Sequence, residues 1–241
     1  MSVRLYVEGG GDHNKALQTL CRRGFSEFIR KSGLGGRMPR VIACGGRQQA
    51  FESFRTAHDD GGMTSLPVLL VDGESAVNAA NPWEHVRHRI GDEWERPPGA
   101  TEDQLQLMVQ TMEAWFHADR EELQAFYGNG FRAGALSARA EVEMIPKADL
   151  FSGLRAATRD CQKGEYSKGA HSFQILARIN PAKVRTRRCG ATDCCARSTD
   201  CVNRAKSQLL KFRISRCGGT AECPPTRPDG TRVSAGRSGH Y

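Results

Sequence analysis

Val3–Asp12 reads VRLYVEGGGD. Val3, Leu5 and Val7 alternate with Arg4 and Tyr6, which is the period of a short β-strand. The strand stops at Glu8, and Gly9, Gly10 and Gly11 follow before Asp12. Three glycines let the backbone turn sharply and come close to a ligand. Asp12 is a good N-cap for the helical stretch behind it. Glu8 is therefore expected at the carboxyl end of a strand, where open α/β sheets place their ligands. Leu66–Glu74, LPVLLVDGE, repeats the arrangement with Asp72, Gly73 and Glu74 closing an apolar run. Two strands that each end in acid beside glycine suit a divalent metal site on a parallel sheet.

Outward from these two stretches, strand and helix patterns alternate. Residues 14–31 place Leu17, Leu20, Cys21, Phe25, Phe28 and Ile29 at helical spacing, and Gly33, Gly35 and Gly36 end the run. Pro39–Cys44 reads as a short strand, and residues 47–58 as a helix with Ala50, Phe51 and Phe54 inward. Pro67–Val71 is apolar throughout, as an interior strand covered on both faces would be. A short helix is predicted over Trp83–Ile90, a strand over Gln104–Thr111, and one helix over Met112–Tyr127. Glu113 falls at the start of that helix, and Trp115 and Phe116 read as core. Further helices are expected over Lys147–Cys161 and Ser172–Ile179. The order implies right-handed crossovers and a mainly parallel sheet flanked by helices.

The chain carries a net charge of +8 over 241 residues, which invites a nucleic-acid reading. The distribution argues against a basic body. Residues 1–184 hold 23 Lys and Arg against 23 Asp and Glu, whereas 185–241 hold 12 against 4, the whole of the excess. No basic leader with a long apolar segment opens the sequence, and no apolar run approaches the roughly 20 residues that span a membrane. A cytoplasmic protein without a membrane partner is the expectation.

Glu8, Asp72, Glu74 and Glu113 all fall at predicted strand-to-helix junctions, which share one edge of a parallel sheet. Converging carboxylates repel unless a cation neutralises them. Mg²⁺ prefers oxygen ligands and keeps waters for a phosphate substrate. Each acid taken alone reads as a helix cap or a polar strand end; the set of four points to a metal. VEGGGD lacks the Lys-Ser/Thr of a P-loop and does not match G-x-G-x-x-G. Lys163–His171, KGEYSKGAH, is a polar stretch in which Lys168 could meet a phosphate and His171 could move a proton near neutral pH. A solvated loop is the other reading of that stretch.

A strand ending in Glu-Gly and a second ending in Asp-x-Asp/Glu, within a β-α-β-α-β context, resemble the Toprim domain of topoisomerases, primases and overcoming-lysogenization-defect nucleases. More narrowly, the chain is similar to the bacterial DUF4276 proteins, a Toprim-like group. The matching pieces are VEGGGD (Val7–Asp12), LLVDGE (Leu69–Glu74), LMVQTMEAWFHAD (Leu107–Asp119), IPKADL (Ile145–Leu150) and KGEYSKGAHSF (Lys163–Phe173). They cover most of residues 1–184 and nothing after. The resemblance implies a Toprim/Rossmann-like α/β fold and a nuclease that uses Mg²⁺ or Mn²⁺ on nucleic acid. Glu8 would bind metal or act as general base, Asp72 and Glu74 would bind metal, and Glu113 would support them. With Lys168 and His171, Glu8 and Asp72 make the expected catalytic set. An ATPase partner in bacterial defence is implied as well. Glu74 stands where the usual motif has a second aspartate, so its reach differs. The alternative is a non-catalytic module that binds nucleotide or a partner and regulates an ATPase.

From Arg185 the pattern changes. Six of the nine cysteines lie between Cys189 and Cys223, without the C-x2-C spacing of a zinc module. Large apolar residues are few. Such a segment cannot bury enough surface to offset its ordering entropy, so residues 185–241 are expected to form a disordered basic tail outside a 1–184 domain. A shift of reading frame in a GC-rich gene, replacing a native C-terminal helix, would give this composition. A basic tail that contacts nucleic acid is the other reading.

Overall fold

The structure is a computed structural model and describes residues 2–11, 14–34, 38–60, 65–77, 79 and 81–188. All lie in the first of two units into which the chain divides, Met1–Lys211. Four strands form one sheet: β1 Ser2–Val7, β2 Arg40–Ala43, β3 Ser65–Asp72 and β4 Leu105–Met108. Their order is β2-β1-β3-β4, and every pairing is parallel. The expected strands are therefore neighbours in one sheet. Helices α1 Lys15–Ile29, α2 Arg47–Asp59 and α3 Pro82–His88 lie along the first half of the chain. Then come α4 Met112–Ala118, α5 Arg120–Tyr127, α6 Lys147–Thr158, α7 Ser172–Arg178 and α8 Pro181–Arg188.

The burial patterns follow from the sequence. Val68, Leu69 and Val71 of β3 are buried on both faces of the sheet, as the unbroken apolar run requires. On one face Phe51 and Phe54 of α2 pack with Trp83, Trp94 and Tyr6; Phe51 and Trp94 stack at 4.4 Å. On the other face α1 packs along α7, and Phe28 stacks on Trp115 at 5.0 Å. Trp115 and Phe116 are thus core residues, at 2% and 0% exposure.

Three expectations are corrected. The strand foreseen over Gln104–Thr111 is confined to Leu105–Met108: Gln104 belongs to a 3-10 turn closed by a Thr101–Gln104 capping box, and the pairing with β3 ends at Met108, where β3 itself ends at Asp72. The single helix over Met112–Tyr127 is two helices that meet at Asp119. Asp119 leaves helical geometry (φ −122°, ψ 70°), and its carboxylate accepts from the Glu122 N–H, restarting the helix. Asp12 lies outside the described residues, and α1 is capped by Asn14, whose side chain accepts from the Leu17 N–H at 3.0 Å.

At the far end, α8 carries the described chain to Arg188, past the expected boundary at 184, with Val184 fully buried. Residues 189–241, which hold the six late cysteines, lie outside the described residues, and with them all of the expected 185–241 tail but its first four residues. Cys21, Cys44 and Cys161 are free thiols. Among the described residues, no helix is long and apolar enough to cross a membrane.

Candidate metal and phosphate site

Parallel pairing of β1 with β3 brings their carboxyl ends together, Val7 opposite Leu70. Glu8 follows β1 directly, and its N–H donates to the Leu70 carbonyl at 3.2 Å. Asp72 closes β3. Beyond it the Gly73 N–H donates to the Met108 carbonyl at 2.7 Å and the Glu74 N–H to the Gln110 carbonyl at 2.6 Å. Those two bonds fix the Asp-Gly-Glu corner to the end of β4. Glu74 takes φ 65°, a conformation that few residues other than glycine adopt.

Carboxylate oxygens of Glu8, Asp72 and Glu74 lie within 4.8 Å of one another. Opposite ligands of a Mg²⁺ ion are about 4 Å apart, twice a bond of 2.0–2.1 Å. The three side chains thus need only small movements to share a cation, and the donor set, all oxygen, is the kind a hard divalent ion takes. Glu8 Oε2 accepts from the Asp72 N–H and from Arg47, each at 3.3 Å, and Oε1 faces no partner among the described residues.

Asp72 is 3% exposed. Burial pushes its carboxyl up to about 7, with the charges of Glu113 and Glu8 adding to the rise. Lys168 and the Met112 N–H, which donates to Oδ1 at 2.8 Å, offset part of it. Burial also pushes the Glu74 carboxyl up, but the hydrogen bond and charge of Lys147, with Arg47 and Arg89, outweigh it and hold the group below its usual range.

Lys168 reaches over the same edge, its Nζ 3.6 Å from Asp72 Oδ2. Burial lowers the Lys168 ammonium, yet the facing charges of Asp72, Glu113, Glu8 and Glu74 raise it further, so it stays a cation. Glu113 sits outside the three-acid cluster. It is fully buried at the start of α4, and its Oε1 accepts from the Tyr166 hydroxyl at 2.7 Å while Oε2 has no partner among the described residues. It acts on Asp72 and Lys168 through its charge, so of the four acids expected to hold a metal the structure groups three. His171 goes elsewhere. Its Nδ1 meets the Tyr127 hydroxyl at 3.1 Å, and its ring packs among Phe126, Tyr127 and Tyr166. Burial, helped by the charge of Lys163, holds it below the usual imidazole range. The cavity beside the acids is lined by Lys168, Gly169, Ser172 and Phe173 but not by His171.

Arg47, Lys147 and Tyr166 belong to the site although the sequence did not point to them. Arg47 makes a two-pronged pair with buried Asp92 (2.7 and 2.6 Å), stacks over Trp94 at 5.0 Å, and reaches Glu8 and the Asp72 carbonyl. The signal available was position alone: Arg47 and Lys147 open the helices that follow β2 and the Ile145-Pro146 corner.

Residues 7–191 match the family model described as "Domain of unknown function (DUF4276)". No curated protein and no solved structure matches the chain.

Proposed function

The chain belongs to the DUF4276 family, and since that description assigns no activity we propose, from the site, a Toprim-type phosphodiesterase that acts on nucleic acid with a divalent metal. The observation that carries this reading is the convergence of Glu8, Asp72 and Glu74 at the carboxyl edge of a parallel sheet, with Lys168 above them. Those three acids would hold Mg²⁺ or Mn²⁺, which when bound polarises a phosphate and lowers the pKa of a water. Glu8, whose Oε1 has no partner among the described residues, would orient or deprotonate that water. Lys168 supplies a positive charge to a phosphate oxygen. Arg47 fixes Glu8 and the end of β3, and the Tyr166 hydroxyl fixes Glu113. His171 has no part in this scheme. An ATPase partner in defence remains the association that the Toprim resemblance suggests.

A second reading rests on one observation. Arg47, Lys147 and Lys168 each already pair with one acid of the cluster, so the edge could be a neutralised binding surface of a regulatory module. Calorimetry and cleavage separate the two. The nuclease reading expects Mn²⁺ to bind wild type with a stoichiometry near one and Glu8→Gln to weaken it, with nucleic-acid cleavage lost in parallel. Wild type that binds no divalent ion and cuts nothing would leave the module.

A further inference from the structure

Beside the acids lies a cavity of about 250 Å³. Its lining combines charged side chains, Glu8, Asp72 and Lys168, with apolar ones, Leu17, Met108, Met112 and Phe173. The backbone of Gly9, Gly10 and Gly11 also lines it, and all three glycines have positive φ (129°, 95° and 64°). Gly9 lets Phe173 come close: a Cβ there would stand 2.9 Å from Phe173 Cζ. The N–H of Gly9 is taken by the Gly45 carbonyl, whereas those of Gly10 and Gly11 have no partner among the described residues. Successive backbone N–H groups in such turns form concavities that hold anions.

We propose that this cavity seats one unpaired nucleotide, its phosphate toward Lys168 and the Gly10–Gly11 backbone and its base against Leu17, Met108, Met112 and Phe173. The inference rests on the phosphodiesterase reading and names its substrate class: a single strand or a frayed end. The volume decides the size of the occupant, since it falls just below the roughly 300–1,000 Å³ of sites for drug-sized ligands. A base still paired and stacked in a duplex cannot enter such a cavity without leaving the helix. Thioether, aliphatic and aromatic walls accept any base face, so the site is expected to be sequence-tolerant.

Nucleoside 5′-monophosphates contain no phosphodiester bond and serve as uncleavable probes. With Mg²⁺ present, adenosine and thymidine 5′-monophosphate should bind wild type at least about ten-fold more tightly than ribose 5-phosphate, a difference of roughly 1.4 kcal/mol. Leu17→Trp, which fills the cavity from the partly exposed face of α1, should erase that difference and leave Mn²⁺ binding unchanged. Equal affinity of wild type for the nucleotides and ribose 5-phosphate overturns the proposal without recourse to any variant. So does a covalently closed duplex circle cut as fast as a single-stranded circle. Absence of divalent binding sinks the metal reading separately. Nucleotide binding in EDTA that still responds to Leu17→Trp would then keep the cavity.

Discussion

Asp72 and His117 show how burial sets the chemistry of single residues. Burial, with the charges of Glu113 and Glu8, pushes the Asp72 carboxyl up to about 7. Its folded value lies above its ordinary one, so ionisation withdraws stability as pH rises from about 4 through 7. Asp72→Asn should therefore stabilise the metal-free protein at pH 8 by on the order of 1–2 kcal/mol, read as a higher Tm, and change little at pH 4. Thermal melts at the two pH values check this, and added Mn²⁺ should stabilise wild type but not the variant. His117 behaves in the opposite sense. It is fully buried, one nitrogen meets the Leu150 carbonyl, and burial pushes it down to about 4. Its neutral form is favoured by folding, so its contribution is intact above about 6.5 and is lost as pH falls toward 4. His117→Gln should flatten that acid slope. Tyr166→Phe removes the one hydrogen bond to the Glu113 carboxylate among the described residues and should lower stability by about 1–3 kcal/mol in denaturant titrations. The acids themselves were legible in the sequence because each closes a strand. Tyr166 was not, since a tyrosine in a polar loop carries no sign that its hydroxyl will find a buried glutamate.

The glycine loop and the α4–α5 break are decided at the scale of the element. VEGGGD reads as strand, acid and turn, and the structure places all three accordingly. The three glycines are not equivalent, however. A Cβ on Gly10 would meet the Gln18 Cα at 3.0 Å with φ 95°, whereas on Gly11 it would meet nothing closer than 3.6 Å at φ 64°, a left-handed conformation side chains can take. Gly11→Ala should cost about 1–2 kcal/mol, and Gly10→Ala clearly more, because helix α1 must move to admit it. Circular dichroism melts of the two variants rank them; equal losses would mean that the loop, and not α1, gives way. The split of Met112–Tyr127 was missed because apolar periodicity continues through Trp115, Phe116, Leu123 and Phe126 across the break. The signal was present in Asp119-Arg-Glu-Glu122, an N-cap followed three residues later by an acid. Periodicity reports which face is buried, and it is blind to a break that keeps both halves facing the same core.

Across the molecule, composition changes where packing does not. Net charge and cysteine content change at about Arg185, yet α8 runs through that point. Val184 is fully buried, the Lys183 ammonium meets Asp119 and Glu121 at 2.7 Å each, and the Asn180 N–H donates to Asp119 at 2.9 Å. Asp119 is 3% exposed, so removing Lys183 would leave a buried carboxylate without its counter-charge. Composition could not show that this helix packs because half of Pro181–Arg188 is basic, with Val184 its one large apolar anchor. A chain ending at residue 188 should therefore unfold within about 1 kcal/mol of the full chain. One ending at 180 should lose about 1.5–3 kcal/mol for Val184 alone, and more for the exposed pairings of Asp119. A chain ending at 184 keeps both anchors but not the last turn, and should fall between them. Denaturant midpoints of the three fragments measure the order. Equal midpoints for the chains ending at 180 and 188 would show that α8 adds nothing. A chain ending at 188 that aggregates while the full chain does not would mean that residues 189–241 cover apolar surface on the body.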